Sequence, residues 1–137
     1  MSFQWTEELR TGVDDVDSQH QEIISRINAL MEACARHPSD RAEIGAYLDF
    51  MHEFIAYHFA AEEREMTGHK YPGLLRHEED HEQLKRQVNN LCRDFREHGA
   101  TIPVVLMTMS SAGEWFLSHI LKTDKAMAAF LKEHAGK

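Results

Sequence analysis

Cysteine is nearly absent from this chain of 137 residues: there are two, Cys34 and Cys92. Two thiols cannot build a disulfide framework, so the fold must rest on a packed core. A chain of this length can bury roughly 65–70% of its unfolded surface, which suffices without staples. Proline is also scarce, at three residues. No repeat, low-complexity stretch or linker divides the sequence, and one domain over 1–137 is expected. Basic charge is in deficit: 15 Lys and Arg against 23 Asp and Glu give a net charge of −8. That excludes nucleic acid or an anionic membrane as the main partner, since both need a basic surface. No uninterrupted run of about 18 apolar residues exists, so no membrane span is expected. The opening MSFQWTEELR lacks the basic start and apolar stretch of a secretory signal, and a cytoplasmic setting is the expectation. No segment alternates with period two, which argues against a sheet.

Histidine, by contrast, is abundant, with ten residues. Their placement follows the helical pattern. After an irregular arm to about residue 17, a first helix over about 18–36 carries Ile23, Ile24, Ile27, Leu30, Met31 and Cys34 on one face. Asp17 or Ser18 is its expected cap, with a Ser18–Gln21 capping box. A second helix, about 40–66, starts from Ser39 or Asp40 with Glu43 as box partner, and buries Ile44, Leu48, Met51 and Ile55. A third, about 72–97, takes Pro72 in its first turn and ends near Gly99. A fourth, about 103–122, opens at Pro103 and aligns Val105, Met109, Ala112 and Phe116. A short last helix, about 125–133, follows with Asp124 as its cap. Short turns between long amphipathic helices make antiparallel neighbours. The expected fold is all-α: an up-down-up-down antiparallel four-helix bundle with an N-terminal arm and a short C-terminal helix.

Six potential metal ligands fall on these apolar stripes. His20 precedes Ile23, Ile24 and Ile27 at helical spacing. His58 and Glu62 extend the series 48, 51, 55. His77 and His81 belong to 74, 77, 81, 84, 88, and His119 closes 105, 109, 112, 116. Spacings of three and four place all six inside the bundle. They sit at the start of the first helix, the end of the second, the start of the third and the end of the fourth. In this topology those four places share one end. Left without partners, such buried polar groups cost about 1–3 kcal/mol each. Asp124 lies five residues after His119, about 140° away on a continuous α-helix. The helix is therefore expected to end between them and the chain to turn Asp124 back. His37, His52, His69, His98 and His134 fall off the stripes and read as solvated. Cys34 and Cys92 read as buried free thiols at the opposite bundle end.

The stretch His77-Glu78-Glu79-Asp80-His81 matches the HExxH pattern of zinc proteases. Glu78, however, sits about 100° from His77, and the motif leaves His20, His58 and Glu62 unused. Seven ligands exceed the four that one zinc takes. Mixed imidazole and carboxylate donors suit a pair of iron or manganese ions rather than calcium. With Glu62 and Asp124 bridging two Fe²⁺ and one hydroxide between them, the site carries +1. Ferritin-like di-iron sites use four carboxylates and two His. Fewer anionic ligands favour reversible binding of O₂ over oxidative catalysis.

His20, His58-x-x-x-Glu62, His77-x-x-x-His81 and His119-x-x-x-x-Asp124 resemble the hemerythrin pattern in type, order and spacing. The stretch Gly12–His20, Glu62-Glu63, Met66, Tyr71-Pro72 and Asp124-Lys125 are similar too. The likeness spans essentially the whole chain, in the acidic single-domain form of the bacteriohemerythrins. It implies two iron ions with a bridging oxo or hydroxo group: one held by His77, His81 and His119, the other, where O₂ binds, by His20 and His58. The implied function is reversible dioxygen binding for transport, storage or delivery, without enzymatic turnover. Small anions such as azide would also bind. An O₂-consuming enzyme is the expected acceptor, and a monomer the expected state. The competing functions are O₂ or redox sensing through a separate partner, and di-iron peroxidase or nitric oxide scavenging. Phe116, one turn before His119, is expected to reach toward the open coordination position.

Overall fold

The computed structural model describes residues 2–134. Helices α1 (Asp14–Arg36), α2 (Arg41–Gly68), α3 (Leu74–Glu97) and α4 (Ile102–His119) form the expected bundle. Each packs against its chain neighbour, and α1 closes the ring against α4. The main core is the apolar stripes meeting on the axis: Ile23 and Ile27 from α1, Leu48 and Ile55 from α2, Leu84 and Val88 from α3, Val105 and Met109 from α4. Asp40 caps α2 by accepting from the Glu43 N–H at 3.0 Å. Thr101 caps α4 by accepting from the Val104 N–H at 3.4 Å. Gly99, at φ +65°, follows α3 and lets the Ala100 N–H reach back to the Asp94 carbonyl, the left-handed stop that glycine favours.

Three local expectations are corrected. Helix α1 begins at Asp14, not Ser18. The Asp17 carboxylate, read as a cap, instead turns backward from the first turn. It accepts from the Thr11 N–H and hydroxyl, both at 2.8 Å, and from the Gly12 N–H at 3.2 Å. It thus ties the arm to the bundle, and no Ser18–Gln21 box is needed. Pro72 lies in the turn ahead of α3, which starts at Leu74 with Gly73 before it. The fourth helix does not stop after His119. It widens into a π-helical turn over Ile120–Asp124 and runs on as α5 (Lys125–Glu133). Asp124 has helical dihedrals and makes no side-chain cap hydrogen bond.

That continuation also lengthens the apolar helical run at this end of the bundle. The helical run Ile102–Glu133 is long and apolar enough, by length and composition alone, to cross a membrane. Its apolar side, from Val105 to Ile120, is nonetheless built into the bundle core.

The arm and α5 position the site. Asn28 clamps the Phe3 backbone by accepting its N–H and donating to its carbonyl, both at 2.8 Å. Leu9 then enters the main core. At the other end of the site, Met127 and Leu131 of α5 meet Val16 and Met66 in a second, smaller apolar cluster, with Tyr71 and Leu74 packed against it. The polar layer containing the seven candidate ligands lies between two apolar layers.

Candidate metal centre

All seven candidate ligands are buried. His20, His58, His81 and Asp124 show 0% exposure, and the most exposed, His119, only 4%. Two elements explain why they meet. The regular α-helical stripes deliver His20, His58, Glu62, His77, His81 and His119, as their spacing requires. The π turn delivers Asp124. Its i→i+5 bonding adds a residue to the turn, so side chains five apart share a face that an α-helix would separate.

The donor atoms fall into two sets, and each carboxylate spans both. Glu62 Oε2 lies 2.7 Å from His58 Nε2 and 3.3 Å from His20 Nε2. Its Oε1 lies 3.2 Å from His81 Nε2 and 3.4 Å from His77 Nε2. Asp124 Oδ2 lies 2.9 Å from His20 Nε2, while its Oδ1 lies 2.9 Å from His77 Nε2 and 3.0 Å from His119 Nε2. Glu62, His77, His81, His119 and Asp124 make one close group; His20, His58, Glu62 and Asp124 make the other. Glu78 of the HExxH stretch is in neither.

These contacts are short but mostly not hydrogen bonds. Nε2 of His58, His77, His81 and His119, Glu62 Oε1 and both Asp124 oxygens are buried without a hydrogen-bond partner. Such groups are costly unless something satisfies them. Lone pairs that crowd together yet miss one another are aimed at a common point. That is the arrangement of ligands around a cation, and imidazole with carboxylate is a donor set for first-row transition ions. The residues present therefore fit a pair of metal ions.

The electrostatics agree. Burial alone would push the His20 and His77 imidazoles down. The close carboxylate oxygens of Asp124 and Glu62 outweigh it and push each up to about 9. Burial opposes the charge of Glu62 and Asp124 too, but the surrounding imidazoles hold both carboxyls well below the ordinary range. Without metal, protons on the rings take the place of cationic charge.

Further residues, which the stripe pattern did not mark, finish the site. His58 Nδ1 donates to Gln19 Oε1 at 2.5 Å, and His81 Nδ1 to Glu63 Oε2 at 2.8 Å. The Phe59 ring stacks on His81 at 3.8 Å, and Trp115 stacks on His119 at 4.7 Å. Phe116 is fully buried and presents its ring edgewise to His20 at 5.4 Å and to His58 at 6.4 Å. A surface cleft of about 570 Å³ between α1, α2 and α5 reaches down to Gln19 and Glu62. The remaining histidines, His37, His52, His69, His98 and His134, join neither group, and none is fully buried. Cys34 and Cys92 are buried and free, and burial pushes both thiols up.

Comparison with known proteins matches residues 11–131 to the family model described as the hemerythrin HHE cation binding domain. The chain is 33% identical over 130 residues to a bacteriohemerythrin of Stenotrophomonas maltophilia (strain R551-3), covering 95% of this chain and 82% of that one. It is 32% identical over 122 residues to a bacteriohemerythrin of Methylococcus capsulatus (strain ATCC 33009 / NCIMB 11132 / Bath), covering 88% and 90%. A crystal structure of wild-type hemerythrin superposes with a TM-score of 0.87 at 31% identity, covering 94% of this chain and 97% of that one.

Proposed function

The chain belongs to the hemerythrin family, and on that premise we propose that its seven converging side chains hold two iron ions and bind dioxygen reversibly. His77, His81 and His119 hold one ion, His20 and His58 the other, and Glu62 and Asp124 bridge them. The observation that carries this reading is the division of the donor atoms into three imidazoles and two, with one oxygen of each carboxylate turned to each set. When bound, the iron pair supplies the electrons for reversible O₂ binding.

The chain supplies the rest. Nε2 of each ring faces inward, while Gln19 and Glu63 hold the far nitrogens of His58 and His81. Apolar layers above and below exclude water, which suppresses side reactions at a buried centre. Phe116 walls the two-histidine half, where fewer protein donors leave a coordination position for a small ligand. Two buried carboxylates are too few anions to neutralise two divalent cations, which disfavours oxidative turnover and supports a carrier, store or delivery role.

Protein expressed with ample iron should contain two irons per chain. After anaerobic reduction, O₂ should produce a visible absorption band that vacuum removes. One tightly bound zinc with no iron overturns the metal assignment. A band that never reverses, or steady turnover of peroxide or nitric oxide, overturns the carrier reading in favour of an enzyme.

A further inference from the structure

Gln19 and Glu63 do the same job with different charge. In both His58 and His81, Nε2 is the atom turned toward Glu62, so Nδ1 carries the proton and donates outward. For His58 the acceptor is a neutral amide oxygen, Gln19 Oε1; for His81 it is an ionisable carboxylate, Glu63 Oε2. A carboxylate pulling on an imidazole N–H makes the opposite nitrogen a stronger donor to a cation; a neutral carbonyl does so much less. Nδ1 of His20 and of His77 is buried without a partner, so neither ring adds a second such hydrogen bond to its half. The charged acceptor serves the half that already has three imidazoles, and the neutral one serves the half with two.

Resting on the two-ion reading above, we propose that Gln19 and Glu63 are positioning residues whose difference in charge sets the order in which the centre fills. The His77–His81–His119 half fills first and holds its ion more tightly. The His20–His58 half fills second and is the half that empties when metal is limiting. Neither residue touches the ion; each acts through the ring it holds. Gln19 lines the solvent cleft, so a carboxylate there would keep its outer oxygen hydrated and be tolerated.

The test is titration of the metal-free protein with Co²⁺ against a competing chelator. Co²⁺ reports donor set and coordination number in its visible absorption, and no O₂ chemistry is involved. Trp115, stacked on His119, reports which half fills. The chain has two tryptophans, so a Trp5→Phe background, excited where tyrosine does not absorb, leaves Trp115 as the sole emitter. In the unsubstituted site, two ions should bind in resolved steps, with the larger loss of Trp115 emission in the first. Glu63→Gln should weaken the first step about 10–100-fold, and Gln19→Glu should tighten the second by a similar factor. The double exchange Gln19→Glu/Glu63→Gln should move the larger loss of emission to the second step. These exchanges are near-isosteric, and unchanged far-UV circular dichroism checks the fold. Two ions bound with both affinities unchanged in every variant refutes this proposal and leaves the two-ion site standing. Fewer than two ions in the unsubstituted site refutes the two-ion reading itself.

Discussion

Stripped of metal, the protein should lose stability as pH rises from about 6.5 to about 9. His20 and His77 are pushed up to about 9 in the folded state because Asp124 and Glu62 outweigh the effect of burial, while an unfolded histidine titrates near 6.5. A raised folded pKa means the folded state keeps a proton that the unfolded chain has released. The stabilisation is fully present below about 6.5, declines through the window and is gone above about 9. One pKa unit is about 1.4 kcal/mol, so each ring contributes on the order of 3 kcal/mol. The two rings share the same pair of carboxylates, so together they contribute less than twice that. Glu62 and Asp124 have the opposite sign: lowered folded values give stability that is present above about 4 and lost as pH falls. Metal-free protein should thus be most stable between about pH 4.5 and 6.5, with a fall in Tm on the order of 10 °C from there to pH 9. Thermal unfolding by circular dichroism on chelator-treated protein, at constant ionic strength, measures it. Asp124→Asn removes the charge facing both rings and should flatten the slope. A Tm that is level or rising between pH 6.5 and 9, or a slope identical in Asp124→Asn, refutes the reasoning.

Three further outcomes are expected. Replacing His77 or His81 with Ala should cost both iron and stability, because a half-built centre leaves the other buried groups unpaired. His98→Ala, at an exposed position beyond α3, should cost neither by iron assay and thermal melt; equal iron loss in both would contradict the face assignment. Phe116→Leu should speed azide binding and the decay of the oxygenated band, whereas Phe116→Ala should also destabilise the fold by roughly 3–5 kcal/mol; unchanged rates in a folded Phe116→Leu protein would make the ring simple core filling. Gly113→Ala should loosen the arm, since a Cβ there meets the Phe3 ring; hydrogen exchange at residues 2–10 that stays as slow as in the parent would show that Phe3 does not need that notch.

Much of the architecture was legible because burial on a bundle axis demands apolar residues three and four apart, and polar exceptions such as His58 and His81 stand out against that rhythm. Asp124 did not follow the rhythm. Five-residue spacing points away on an α-helix, and only a widened turn reconciles it with burial. A trace of that turn was present: Ala112, Phe116, Ile120, Asp124 and Ala128 are all buried at steps of four, and each such step drifts about 40° on an α-helix unless something resets it. Asp17 misled because a carboxylate near a helix start has two uses, capping forward or gripping the preceding loop, and sequence does not separate them. Gln19 and Glu63 stood in stretches that resemble the family, but their hold on His58 and His81 was not legible for a different reason. They occupy flanking polar positions where a solvated side chain and a histidine-holding one look alike.

The wide turn at Ile120–Asp124 also governs how this part of the chain tolerates changes of length. Within an ordinary helix, one residue gained or lost rotates everything beyond it by about 100°, which here would swing Met127 and Leu131 out of their cluster. Inside the π turn, a lost residue is absorbed as a narrower ring with little rotation. Asp124 would then stand four residues from His119, spaced like His58 with Glu62 and His77 with His81. Those five positions are therefore the stretch of the bundle where length can vary by one while the residues on either side keep their faces. What such a deletion would take away is reach, the extra width that lets a carboxylate on the helix of His119 extend to His20 on the neighbouring one.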